Sequence, residues 1–224
     1  MKTLGKSIKT VLFDLDGTLV DTEPSAARAI QSCFKDWGLE VTREDAGFIT
    51  GRTWAVAFEY LFNKFPLPVS RTEAAERMMK RYREDLEKNL AVVPGGAAAV
   101  RDLANQYDLA LVSGSNRAEI FWALDQLKIR NLFKVILGAE DYPRSKPAPD
   151  GYLKALQLLG AEPDSSLVFE DSEAGISSAK AGGLWVVAIT STNHFGHNTS
   201  QAHGHIEDLQ SVNCRWVEEF APRS

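Results

Sequence analysis

Two carboxylates at the end of an apolar run carry the first chemical signal in this chain. Val11-Leu12-Phe13 leads into Asp14-Leu15-Asp16, and Gly17-Thr18 follows. Alternate residues of a strand face the same side, so a strand reaching Asp16 would aim both carboxylates at one ligand. Gly17 permits backbone torsions that a Cβ would resist. An unpaired buried carboxylate is costly and two close together repel, so the pair calls for a cation. Further along, Ser113-Gly114-Ser115-Asn116, Lys146 and Glu170-Asp171 supply hydroxyls, an amide, an ammonium and two more carboxylates. A nucleophile, carboxylates for a metal, anion-holding donors and one cation form the inventory of phosphoryl transfer.

Those groups need a scaffold that gathers distant segments. Apolar runs at 109–112, 135–137, 167–169 and 185–189 read as strands, like the run before Asp14. Helical stretches at 97–106, from 117, at 149–160 and at 173–181 separate them. Strands alternating with helices predict a parallel sheet with helices on both faces, a Rossmann-like α/β core. Ligands of such sheets bind beyond the carboxyl ends of the strands, where every group named above falls. Between the first two strands the pattern is helical throughout, at 24–37, 42–50, 54–62 and 70–89. Residues 1–22 and 92–224 are therefore expected to form the core domain, and 23–91 an inserted all-helical cap over that sheet edge.

Composition narrows the partners. Of 224 residues, 44% are hydrophobic and 25% charged, enough for a sizeable core. A net charge of −5 without a basic stripe argues against nucleic acid. No apolar run spans a bilayer and no apolar segment suited to secretion precedes the first strand, so no membrane partner is expected. Cys33 and Cys214 read as reduced thiols, as expected of a cytoplasmic protein, and a monomer or weak homodimer is expected separately from this. His194, His197, His203 and His205 lie in a polar segment without metal-ligand spacing and are expected in a solvated loop. In the charged stretch 73–88, Met78, Met79, Tyr82 and Leu86 are expected to turn inward.

Four segments also resemble the ordered motifs of the haloacid dehalogenase superfamily. They are Asp14-Leu15-Asp16-Gly17-Thr18, Ser113-Gly114-Ser115-Asn116, Ser145-Lys146-Pro147-Ala148-Pro149-Asp150, and Phe169-Glu170-Asp171-Ser172-Glu173-Ala174-Gly175-Ile176. The likeness covers essentially the whole chain and points to the sugar-phosphatase and β-phosphoglucomutase-like branch with a helical cap. It implies Asp14 as nucleophile and Asp16 as general acid and base. Mg²⁺ would lie on Asp14, Glu170, Asp171 and the backbone carbonyl of Asp16, since it accepts hard oxygen ligands. Ser113 and the backbone near Gly114 would hold phosphate oxygens, with Lys146 offsetting charge in the transition state. Thr18 would support the nucleophile by a hydrogen bond within its loop, and Asn116 either contacts substrate or caps the following helix.

The same likeness frames the choice of reaction. Mutases of this branch carry a histidine and an arginine where Ala26 and Trp54 stand here. Arg52 lies near enough to stand in for the arginine, and the absent histidine implies hydrolysis of a small phosphorylated metabolite, a sugar or polyol phosphate. Gly51, Arg52 and Trp54 would touch the substrate, Trp54 by stacking on a sugar face. A β-phosphoglucomutase-type mutase and a non-catalytic binding protein on the same scaffold are the alternatives. Phosphonate cleavage would instead need a Schiff-base lysine, and neither Lys64 nor Lys80 sits in a recognisable motif for one.

Overall fold

The first apolar run forms β1 (Thr10–Phe13), buried along its whole length. The computed structural model describes residues 7–49, 54–194 and 196–220. After β1 come β2 (Val20–Asp21) and the helices α1 (Glu23–Asp36), α2 (Arg43–Ile49), α3 (Trp54–Lys64) and α4 (Arg71–Asn89). Then β3 (Ala91–Val92) pairs with β2 as a small two-stranded sheet. The alternating part follows: α5 (Gly96–Leu103), β4 (Asp108–Val112), α6 (Arg117–Gln126), β5 (Val135–Leu137), α7 (Asp150–Leu159) and β6 (Ser166–Glu170). It closes with α8 (Glu173–Ala181), β7 (Trp185–Ile189), β8 (Gly204–Ile206) and α9 (Cys214–Glu219).

The chain divides into two compact units, Met1–Val20 with Val92–Ser224, and Asp21–Ala91. In the first, the described residues form a six-stranded sheet in the order β5-β4-β1-β6-β7-β8, with every neighbouring pair parallel. Chain order runs outward from β1 to one edge and then returns to its other side. β1 is thus the strand at which the topology reverses, the position beside which sheets of this kind bind ligands. One face of the sheet, with Leu12, Ala110 and Val168, packs against Tyr152, Ala155 and Leu156 of α7 and Ile176 and Ala179 of α8. On the opposite face Phe13 stacks on Phe169 at 5.2 Å between ring centroids.

β1 stops at Phe13, so Asp14 and Asp16 do not share a strand face. The N–H groups of Leu19 and Val20 both donate to the Leu15 carbonyl, which turns the chain out of the sheet before Asp16. The polar segment with four histidines is also not loop throughout, because β8 pairs with β7 as the edge strand. A three-residue edge strand buries little, so its sequence keeps a polar pattern.

The helical unit has its own core of Ile30, Cys33 and Phe34 from α1 with Ala57, Leu61, Ala74 and Met78. Ser70 caps α4 by accepting the N–H of Glu73 at 3.2 Å. Ala74, Met78, Tyr82 and Leu86 are the buried stripe of α4, at four-residue spacing. Met79 is only half-buried, as the turn of about 100° between adjacent helical residues carries it off that stripe. No helix among the described residues is long and apolar enough to cross a membrane.

Candidate active site

Parallel register decides which side chains meet at the sheet edge. Phe13 aligns with Leu111 of β4 and Phe169 of β6. The next residues, Asp14, Val112 and Glu170, therefore lie level with one another, and the N–H of Asp14 donates to the Phe169 carbonyl at 3.0 Å. Alternation carries Asp14 and Glu170 to the face that also packs Leu12 and Val168 against α7. From the loop before α7, Lys146 reaches this row. Its Nζ ion-pairs with Asp14 Oδ1, and with Glu170 Oε1 at 2.6 Å. The same ammonium donates to the Val112 carbonyl at 3.1 Å.

Burial sets the electrostatics. It pushes the Asp14 carboxyl well above the usual carboxylate range, and Glu170 and Asp16 add to this while Lys146 opposes it. Burial works against the Lys146 ammonium, but the charges of Asp14 and Glu170 outweigh it and hold that group well above an ordinary lysine. Tyr152, fully buried on α7, is likewise pushed well up by burial and by Glu170, so it stays a donor.

Two glycines shape the carboxylate cluster. Gly17 has φ +82°, and a Cβ there would lie 2.0 Å from Asp171 Oδ2. A Cβ on Gly175 would lie 1.7 Å from Glu170 Oε1. The first turn of α8 therefore folds closely over Glu170, whose Oε2 accepts from the N–H groups of Asp171 at 3.0 Å and Ser172 at 3.1 Å. The Ser172 hydroxyl adds a third donor at 3.0 Å.

Asp16 sits apart from this row, half-buried, with its Oδ2 held by the Ser115 hydroxyl at 2.7 Å and the Ser113 hydroxyl at 3.3 Å. The two aspartates of the motif thus have different surroundings, one among carboxylates and an ammonium, the other beneath two hydroxyls. Such divergent settings suit two chemical roles for two like groups.

Other expected residues fall variously. Gly114 is exposed in the turn after β4. Asn116 caps α6, accepting the N–H of Glu119 at 3.0 Å. Thr18 is fully buried, but its Oγ1 has no hydrogen-bond partner among the described residues, contrary to the hydrogen bond expected of it. Trp54 packs within the helical unit, 5.2 Å from the ring of Phe58 and 5.0 Å from that of Tyr82. Gly51 and Arg52 lie outside the described residues. His203 accepts the N–H of Val186 at 3.1 Å, and His205 lies in β8, so both serve the sheet edge. Cys33 and Cys214 are free thiols. Lys64 pairs with Asp45, and the hydrogen bonds of Asp45 and Tyr60 push it up to about 12, opposite to what a Schiff-base amine needs.

Sequence reasoning passed over Ser115, Tyr152 and Thr192. Ser115 holds Asp16, and Tyr152 donates to Glu170 Oε1 at 2.9 Å. The hydroxyl of Thr192 donates to the Gly17 carbonyl at 2.7 Å and pins the turn after β1. Ser115 stood inside a motif already marked; nothing local to the other two flagged them.

The cluster fits a metal ion. Ligand oxygens of Asp14, Glu170 and Asp171, all buried, lie within 4.8 Å of one another. With all three carboxyls ionised, the ammonium of Lys146, the one cation paired with them among the described residues, leaves an excess of two negative charges, the charge a divalent cation would balance. An all-oxygen donor set suits a hard cation.

Known proteins resemble this chain in sequence and fold. A model of the haloacid dehalogenase-like hydrolase family matches residues 11–189. Protein CbbY of Rhodobacter capsulatus is 30% identical over 95% of this chain and 99% of its own length. The fructose-1-phosphate phosphatase YqaB of Escherichia coli strain K12 is 28% identical over 80% of this chain and 95% of its own. The crystal structure of CbbY from Rhodobacter sphaeroides in complex with phosphate shares the fold at a TM-score of 0.77 and 24% identity, covering 95% of this chain and 100% of that one. The chain belongs to the haloacid dehalogenase-like hydrolase family.

Proposed function

We propose that this protein is a Mg²⁺-dependent phosphatase that hydrolyses a small phosphomonoester, a sugar or polyol phosphate, through an aspartyl phosphate on Asp14. The observation that carries the reading is the split environment of the two aspartates: Asp14 beside Lys146 in a carboxylate-rich row, Asp16 separately held by Ser115 and Ser113. A phosphatase among the relatives that acts, by name, on a sugar phosphate supports the substrate class.

In the first step a carboxylate oxygen of Asp14 forms a bond to phosphorus as the ester P–O bond breaks. The Asp16 carboxyl gives its proton to the departing sugar oxygen. Lys146, fixed beside Asp14, offsets charge spread over the phosphoryl oxygens during transfer. In the second step the Asp16 carboxylate takes a proton from water as the water oxygen bonds to phosphorus and Asp14 leaves. Ser113 and the exposed backbone at Gly114 lie beside Asp16, where nontransferring phosphate oxygens need donors. Mg²⁺ would be held by Asp14, Asp171, the Asp16 carbonyl and the Glu170 side of the cluster, and when bound it supplies the positive charge that lets a phosphate approach these carboxylates. The two free thiols suit a reducing cytoplasm, and we expect a monomer or weak homodimer.

Phosphate release from a panel of sugar and polyol phosphates, with and without Mg²⁺, tests the reading. The expected result is Mg²⁺-dependent release that Asp14→Asn abolishes. Activity that survives this substitution overturns the nucleophile. Conversion of β-glucose 1-phosphate to glucose 6-phosphate, stimulated by a bisphosphate, would make the enzyme a mutase instead.

A further inference from the structure

Tyr152 takes no part in the steps above, yet its surroundings tie it to them. The side chain is fully buried in the face of α7 that packs against the sheet, among Leu12, Val112, Val168 and Ile176. A phenylalanine would fill that apolar space, whereas a hydroxyl there costs free energy unless it is hydrogen-bonded. Its partner is Glu170 Oε1, at 2.9 Å. The same oxygen accepts Lys146 Nζ at 2.6 Å, and that ammonium lies 5.1 Å from the centre of the Tyr152 ring, within cation–π range. Tyr152 therefore touches both members of the pair that flanks Asp14.

Charge sharing gives this contact a consequence. Glu170 Oε2 is occupied by the N–H groups of Asp171 and Ser172 and by the Ser172 hydroxyl. Oε1 is divided between the Tyr152 hydroxyl and the Lys146 ammonium. Together these donors fix the orientation of the Glu170 carboxylate. Without the hydroxyl, all of the negative charge on Oε1 faces Lys146 and draws the ammonium away from Asp14.

We propose that Tyr152 is a positioning residue for phosphoryl transfer: through Glu170 Oε1 it keeps the Lys146 ammonium shared with Asp14. The inference rests on the phosphatase reading given above. Lys146 acts on charge that develops during transfer, so its displacement lowers kcat and leaves ground-state binding of the substrate intact.

The test compares wild type with Tyr152→Phe, which deletes one oxygen and keeps the ring. p-Nitrophenyl phosphate with Mg²⁺ is the substrate, and orthovanadate, which adopts the five-coordinate geometry of a transferring phosphoryl group, is the inhibitor. The expected result is a fall in kcat of about 10-fold, with KM held within about 2-fold and the vanadate inhibition constant raised by a factor like that in kcat. Tyr152→Met, which removes the hydroxyl with a flexible apolar side chain, must do the same and guards against a folding failure of the first variant. In a Lys146→Met background, Tyr152→Phe should cause no further loss of vanadate affinity, because the group it acts through is gone. Wild-type kcat and vanadate inhibition in both Tyr152 variants, a rise in KM alone, or an additive loss in the double variant each overturns the proposal. Failure of the wild-type protein itself to hydrolyse phosphoesters or to bind vanadate would overturn the phosphatase reading along with it.

Discussion

Asp45 in the helical unit and Asp14 in the α/β unit are both buried, and both pair with a lysine near a tyrosine hydroxyl. Their carboxyls are nonetheless pushed in opposite directions. Around Asp45 the donors outnumber the charges: the N–H and hydroxyl of Thr42 at 2.9 and 2.7 Å, the Tyr60 hydroxyl at 2.6 Å, and Lys64. Burial opposes ionisation of Asp45, but these hydrogen bonds outweigh it and hold the carboxyl well below the usual range. Around Asp14 the balance reverses, because Glu170 and Asp16 add negative charge to the penalty of burial and outweigh the opposing charge of Lys146. A buried carboxylate with surplus donors is a structural node that joins α2 to α3. One with surplus carboxylates is a site that a cation completes.

The contrast can be broken most sharply at Asp14. Asp14→Asn should reduce phosphoester turnover by on the order of 10³-fold or more, while the thermal midpoint does not fall, since one crowding charge is removed. Turnover and thermal unfolding on the same sample check this, and a destabilised but active variant would erase the distinction. Next in size is Asp16→Asn. Sugar-phosphate hydrolysis should drop by about 10²- to 10⁴-fold, because an alkoxide needs a proton to leave. p-Nitrophenyl phosphate, whose leaving group needs no proton, should still give a burst of nitrophenol before turnover stalls. A rapid-mix assay reads that burst, and equal loss of both phases would argue against the acid role.

Asp45→Ala sharpens the comparison from the other side. It strips the shared acceptor from Thr42, Tyr60 and Lys64 and should cost about 1–3 kcal/mol of stability, with activity per folded molecule unchanged. Urea unfolding together with turnover measures both. The smallest effect is its pH dependence. The folded Asp45 carboxyl lies below its unfolded value of about 3.9, so its contribution is complete above about pH 4 and is lost as pH falls through the folded value. The stability gap between wild type and Asp45→Ala should therefore narrow below about pH 4. A constant gap down to about pH 3 would mean that the carboxylate charge contributes nothing.

How far each region could be read in advance follows the range of its interactions. Ser70 and Asn116 announce helix starts because a cap acts within three residues. The helical interval and the strands at 135–137 and 185–189 show themselves by local periodicity. The turn after β1 was harder, since whether a strand reaches Asp16 depends on hydrogen bonds to Leu15 and on the Thr192 hydroxyl, 175 residues away from Gly17. Ser115 lies 99 residues from Asp16, and Tyr152 matters only because α7 lands beside the end of β6. β8 escaped notice because one short edge strand borrows its order from β7.

The amino-acid sequence by itself determined the alternating elements, the helical insertion and the placing of Asp14, Ser113, Lys146 and Glu170-Asp171 just past strands or in the loops between them. Periodicity and residue type are local properties, and they suffice for that. Only the tertiary structure decided which of those groups share charge. Parallel register set Asp14 level with Glu170, drew Lys146 and Tyr152 onto the same carboxylate and left Asp16 to Ser113 and Ser115. Coulomb forces and hydrogen bonds act across a few ångströms of space regardless of separation along the chain, and proximity of that kind exists only once the sheet has formed.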